Sequence, residues 1–230
     1  MALTNVLLLS QIAGYVIGLI LSLCIIAPMG MHLHEFNGHC LLFSQGDWQN
    51  DGQLAVSWAY RAYCDYVIVV GVLMFLTCSI QIYRLSIYMY KGLDSSFLSA
   101  FLEAVGCMML CGLAVSAAVI VTLGFMTWCQ VIVERFPSCE DAAGQNIDSK
   151  ENITTIDFYM QIGTTQFGAW AAFATWVGLA VFSTIKVCRY HQLENIQVSM
   201  YRERQRLVNE TGSPTTQDGR STPPQHLSHD

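Results

Sequence analysis

Four long apolar runs, each bounded by charge and containing none, dominate this chain: Val6 to Ala27, Tyr66 to Tyr83, Ala104 to Val133 and Phe158 to Ile185. A bilayer's hydrocarbon core is about 30 Å thick and takes roughly 20 helical residues to cross, so such runs predict transmembrane segments. In lipid every backbone N–H and C=O must be paired internally, which admits only helices and closed barrels. Barrel strands alternate over about ten residues, whereas these runs are longer and continuously apolar, and they therefore predict helices. The expected fold is an all-α membrane protein, a four-transmembrane-helix bundle over residues 1–190, with spans near 6–27, 66–83, 105–128 and 162–185. A hydrophobic share of 53% with only 12% charged residues fits lipid exposure, against roughly 25% charged in soluble domains. The net charge of −6 says little about partners, since the charges segregate by side of the membrane, and no nucleic-acid partner is expected.

Lys and Arg near span ends are retained in the cytoplasm. With the N-terminus inside, Arg84, Lys91, Lys186, Arg189, Arg202, Arg204, Arg206 and Arg220 fall on the inner face, and only Arg61, Arg135 and Lys150 fall outside. That asymmetry predicts both termini in the cytoplasm of a plasma-membrane or secretory-pathway protein. Residues 1 to 5 carry no basic n-region, and the first run exceeds the apolar core of a signal peptide, about 7–15 residues, so it reads as a span. Two outer loops follow, near 28–65 and 129–161. The second carries Asn152-Ile153-Thr154, a glycosylation acceptor that this topology makes lumenal, while Asn209-Glu210-Thr211 falls on the cytoplasmic side.

Of nine cysteines, Cys40, Cys64, Cys129 and Cys139 lie in or beside the outer loops, where oxidising conditions let disulfides persist. Four cysteines allow three connectivities. Cys24, Cys78, Cys107 and Cys111 sit within spans and read as small buried hydrophobes. Cys188, between Lys186 and Arg189 at the end of the fourth run, is a candidate for palmitoylation and equally a simple interfacial cysteine. Close helix approach in lipid depends on small residues, and Gly14, Gly18 and Ser22 recur at four-residue spacing in the first span. Gly106, Gly112 and Gly124 in the third run and Gly168 and Gly178 in the fourth are read the same way, as packing within one bundle.

Ionisable residues inside a membrane are costly and mark ion paths or proton relays. Here only Asp65 and Glu103 come near, both at span ends, no Cys-x-x-Cys pair points to thiol redox chemistry, and no nucleophile has an obvious base. Catalysis and cofactor binding are accordingly not expected, although Thr164, Thr165 and Gln166 place polar groups early in the fourth span. His32-Leu33-His34 with His39-Cys40 is the strongest chemical pattern outside the spans. Alternate histidines on a strand share a face and so are able to share a metal ion, but without a carboxylate constellation solvated loop histidines are the plainer reading. In the tail, Leu193, Ile196, Met200 and Leu207 recur at helical spacing beside Arg202, Arg204 and Arg206, which predicts a basic amphipathic helix over 191–208, on the inner leaflet or against a partner. Residues 209–230 are too poor in apolar side chains to order themselves.

One further set of residues carries a resemblance. Gly38-His39-Cys40-Leu41-Leu42-Phe43 with Gly46 and Trp48, Cys64, Ser99-Ala100-Phe101-Leu102, Gly124-Phe125 with Trp128-Cys129, Ser138-Cys139-Glu140, and Gln166-Phe167-Gly168 with Trp170 resemble the transmembrane protein 179 family, in matching order. That family is similar to the claudin-type four-span proteins, which implies a small β-sheet from the first outer loop above a left-handed bundle. The resemblance also implies a bridge from Cys40 to Cys64, and with it Cys129 to Cys139. Claudins carry Gly-Leu-Trp ahead of two first-loop cysteines, whereas Gly46-Asp47-Trp48 here lies between Cys40 and Cys64, which sets a paracellular barrier role in doubt. The reading at this stage is a non-enzymatic subunit of accessory, scaffolding or adhesion type, embedded in the bilayer and contacting another membrane protein or a second copy. An oligomeric transporter or pore is the alternative, and metal handling by the first-loop histidines a third.

Overall fold

The computed structural model describes residues 2–49, 54–91, 97–144 and 155–211. Its elements are helix α1 (Ala2–Glu35), strands β1 (Cys40–Trp48) and β2 (Leu54–Ala59), helices α2 (Ala62–Lys91) and α3 (Phe97–Ile132), a short 3-10 turn at Glu140–Ala142, and helix α4 (Phe158–Thr211). Among the described residues, four helices are long and apolar enough to cross a membrane. Their exposed residues include Leu9, Ile20, Val69, Leu76, Met108, Leu123 and Val181, large apolar side chains of the kind that face lipid rather than water. The core between them is built from Tyr15, Met29, Val67, Met74, Ala118, Val121, Ala172 and Trp176. This is a four-helix membrane bundle carrying a two-stranded antiparallel sheet.

All four helices overrun the spans expected from hydropathy, and three of the limits bear on the site. The first span was expected to stop at Ala27, before Pro28, but α1 runs through Pro28 to Glu35. Proline removes one backbone donor, a loss that membrane helices tolerate where a neighbour packs closely. Here α4 supplies that neighbour: a Cβ on Gly168 would lie 3.2 Å from Ile25 Cγ1 and 3.3 Å from Cys24 Cβ, a tighter fit than most side chains make, so glycine favours this close approach of the two helices. At the other side of the first loop, α2 starts at Ala62 and takes Cys64 and Asp65 out of the expected loop. The tail differs most. A separate amphipathic helix at 191–208 was expected, yet α4 continues unbroken to Thr211, because no Gly or Pro occurs between residues 179 and 211 to end it.

The described chain forms two compact units, Met1–Val187 and Cys188–Asp230. In the second, Leu193, Ile196, Met200 and Leu207 are all exposed, as are Arg202, Arg204 and Arg206. The expected disordered tail from 209 onward lies outside the described residues except for the last helical positions up to Thr211.

Candidate functional site

Two clusters of specialised side chains stand at opposite ends of the first unit. The first is the layer formed by the sheet. It begins where α1 ends: Asn37 and Gly38 take left-handed backbone conformations (φ 51° and 85°), and the Gly38 N–H donates to the Leu33 carbonyl at 2.7 Å, closing the helix and turning the chain into β1. β1 and β2 pair with Gln45 opposite Ser57 and Trp48 opposite Leu54, but residues 41 to 44 lie opposite only Trp58. Phe43 absorbs that bulge at φ 65°, a conformation a bulky residue adopts only when its surroundings hold it there. Ser44 does part of the holding, since its hydroxyl donates to the Cys40 carbonyl at 2.8 Å and accepts from the Ala59 N–H at 3.0 Å, replacing ladder bonds the bulge removes. Gly124 of α3 does the rest. A Cβ there would fall 2.8 Å from Leu42 Cβ and 3.1 Å from the Phe43 ring, so the sheet rests directly on the helix backbone.

Two disulfides close this layer. Cys40, first residue of β1, is bonded to Cys64 in the first turn of α2, with Cα atoms 5.9 Å apart, and Cys129 near the end of α3 is bonded to Cys139, with Cα atoms 5.3 Å apart. Aromatic packing fills the space between. His39 stacks on Trp58 at 5.1 Å, Trp58 lies parallel to Trp128 at 6.4 Å, and Phe36 meets Trp58 edge-on at 6.2 Å. Trp48 reaches across to α3, where its indole N–H donates to the Val131 carbonyl at 2.9 Å while the Arg135 guanidinium sits 5.2 Å over its ring.

The histidine pattern is the clearest correction. His32 and His34 were read as solvated loop residues on strand-like spacing, but both belong to α1, where residues two apart diverge around the axis. His32 is fully buried against Phe36, and its Nε2 accepts the Leu41 N–H at 3.4 Å, whereas His34 is exposed. His32 therefore buttresses the helix–strand corner, and the geometry separates the two imidazoles instead of pairing them.

The second cluster lies at the far end, where α1 begins. Glu103 of α3, read as a span-end residue, has a side chain only 2% exposed and gathers donors from two other helices. Its Oε1 accepts from Gln11 Nε2 at 3.1 Å and the Tyr15 hydroxyl at 3.2 Å, both from α1, and its Oε2 pairs with Lys186 Nζ of α4 at 3.3 Å. Ser183 accepts from Gln11 at 3.4 Å and lies 3.7 Å from Cys107 Sγ, which is itself 3.4 Å from the Tyr15 hydroxyl. A buried charge is tolerable only when paired and hydrogen-bonded, and both Glu103 oxygens are so engaged. The signal available in sequence was the matched spacing: Gln11 with Tyr15 and Glu103 with Cys107 are i, i+4 pairs, and Ser183 with Lys186 an i, i+3 pair, so each helix offers a polar face at one depth.

The small residues of the first span are divided between neighbours. A Cβ on Gly14 would meet the Leu179 side chain of α4 at 2.8 Å, one on Gly18 would meet Cys78 Sγ of α2 at 3.0 Å, and Ser22 is fully buried with its hydroxyl bonded to the Leu19 carbonyl at 2.7 Å. Gly124 and Gly168 are likewise packed, but a Cβ on Gly106, Gly112 or Gly178, expected to serve the bundle too, would meet nothing within 4 Å among the described residues, and Gly112 is exposed. Thr165 is buried, its hydroxyl donating to the Gln161 carbonyl of its own helix, while Gln166 reaches α3 and donates to the Thr122 hydroxyl at 3.2 Å. Cys188 is an exposed free thiol, and Asn152 lies outside the described residues.

No solved structure matches the chain. A family match covers the bundle, the sheet layer and both disulfides together: from residue 7 to residue 208 the chain matches the Transmembrane protein 179/179B Claudin domain, and it belongs to that family of claudin-like multi-pass membrane proteins.

Proposed function

We propose that this protein acts without catalysis, as an accessory, scaffolding or adhesion-type subunit that contacts another membrane protein through its outer layer and tail, with both termini cytoplasmic. The observation that carries the reading is where the covalent reinforcement lies. Both disulfides belong to the sheet layer, and that layer presents Tyr60 at 83% exposure beside the sheet. A stiff platform loses little conformational freedom on binding, which is what a docking surface needs. Proximity labelling followed by co-purification in mild detergent tests it: a reproducible channel, receptor or transporter partner is the expected result, and loss of that partner on reducing the layer ties the contact to the bridges.

A second reading, an oligomeric transporter or pore, draws on one observation, the ionisable Glu103 buried inside a span, since such residues are by default candidates for ion paths. Against it stands the engagement of both carboxylate oxygens by groups of the same chain. Flux through the purified protein in liposomes, abolished by Glu103→Gln, would replace the first reading with the second.

The proposed topology has its own check. Asn152→Gln should abolish a glycosidase-sensitive mass shift, and Asn209→Gln should leave it unchanged, because only lumenal acceptors meet the transferase. The opposite pair of results inverts the membrane map. Acylation of Cys188 belongs to the same reading, as an anchor at the inner leaflet, and thioester-sensitive labelling lost in Cys188→Ser checks it.

A further inference from the structure

At the far end of the first unit, one face of α3 holds two cations from two other helices. Ser99 and Glu103 are one turn apart on α3 and so share a face, with Cβ atoms about 5–6 Å from each other. Ser99 accepts a hydrogen bond from Arg84 Nη2 of α2, and Glu103 pairs with Lys186 Nζ of α4. Tyr88 lies one turn beyond Arg84 on the same helix and is half-buried. Arg84 also donates from Nη1 to Gln81 Oε1 at 3.1 Å. All of these partners of Arg84 are neutral, and among the described residues no carboxylate pairs with it. Among the described residues the cluster therefore carries two positive charges, one offset by Glu103, and a guanidinium that neutral side chains hold in place without consuming its charge.

Depth supports a lipid as the counter-charge that the described residues do not supply. Tyr83 and Tyr90 flank Arg84 on α2 with 69% and 92% exposure, and tyrosine at that position on a span end marks the headgroup level of a bilayer. Arg and Lys between helix ends on the cytoplasmic side are the groups that take anionic headgroups, the guanidinium as a planar fork and the ammonium as a point charge. We propose that Arg84 and Lys186, positioned by Gln81, Ser99 and Glu103, bind the phosphate of an anionic phospholipid of the inner leaflet. An anionic headgroup's net single negative charge matches the one positive charge in excess among the described residues, whereas the choline of a zwitterionic lipid cancels its phosphate. The choice of leaflet rests on the cytoplasmic placement of this end proposed above; the binding chemistry does not.

Native mass spectrometry of the full-length protein, purified in detergent with equal phosphatidylserine and phosphatidylcholine, tests the site. Retained phosphatidylserine should exceed phosphatidylcholine, and Arg84→Gln should lower it about five-fold, the worth of one basic side chain at an anionic surface. Arg84→Lys, which keeps the charge and loses the fork, should fall between, and it serves in place of Arg84→Gln if that variant melts below the wild type. Equal retention by the wild type and whichever variant folds overturns the proposal. Displacement of the lipid by millimolar inorganic phosphate overturns it as well, by assigning the site to a soluble phosphate. The assay has no sidedness, so an inverted glycosylation map and a failure of lipid retention are separate results.

Discussion

The two ends of the bundle join helices by different chemistry. At the sheet end the ties are covalent and aromatic: Cys40 to Cys64 links β1 to α2, Cys129 to Cys139 clips the end of α3, and Trp58 stacks between His39 and Trp128. At the far end one carboxylate, Glu103, collects Gln11, Tyr15 and Lys186. Surroundings explain the division. Outside the bilayer water competes for every hydrogen bond and screens every charge, so lasting ties come from disulfides and buried rings. Between helices in lipid the local dielectric is low, and a satisfied polar network binds tightly while an unsatisfied one is costly. The ends should also fail differently, one by releasing a loop and the other by stranding a charge.

The largest effect should come from stranding that charge. Lys186→Met leaves Glu103 buried with no cation, which costs about 3–5 kcal/mol when a buried pair is broken from one side. Adding Glu103→Gln to Lys186→Met should recover most of the loss, since the amide still accepts from Gln11 and Tyr15. Thermal unfolding in detergent measures both, and a double variant as unstable as Lys186→Met would show that the pair is not the source. Replacing Cys40 and Cys64 together with alanine comes next, at about 3 kcal/mol by loop-closure entropy. The two bridges span 24 and 10 residues of sequence, so removing Cys129 and Cys139 should cost slightly less. Regional hydrogen exchange sharpens the contrast: reductant should speed exchange in β1 and β2 and leave α3 around Glu103 unchanged. Uniform acceleration would mean the ends are not independent. The smallest effect is expected for Trp48→Phe, which gives up the hydrogen bond to the Val131 carbonyl and much of the Arg135 contact, about 1–2 kcal/mol together. A change below the error of the melt would remove Trp48 from the ties that hold the sheet to α3.

Most of the scaffold was open to inspection in the primary structure, and the reason is the solvent. A bilayer imposes a length and forbids unpaired backbone, so four uncharged runs could become little but four helices. The outer cysteines were identifiable from compartment alone, while their pairing came from the family resemblance. Helix limits were less legible, because hydropathy reports lipid contact and not backbone continuity: α1 passes Pro28 and α4 passes its expected end at Ile185. What only the tertiary structure decided is which residues meet. Glu103 reads as a span-end carboxylate until Gln11, Tyr15 and Lys186 arrive from helices distant in sequence. His32 reads as a solvated loop residue until the extension of α1 turns it into the corner, and Gly14 and Gly112 look alike until one meets Leu179 and the other nothing within 4 Å. Periodicity specifies the face a residue occupies, but a face becomes a contact only when another element packs on it, and in lipid that choice rests on short-range fit and on pairing polar groups rather than on hydrophobicity.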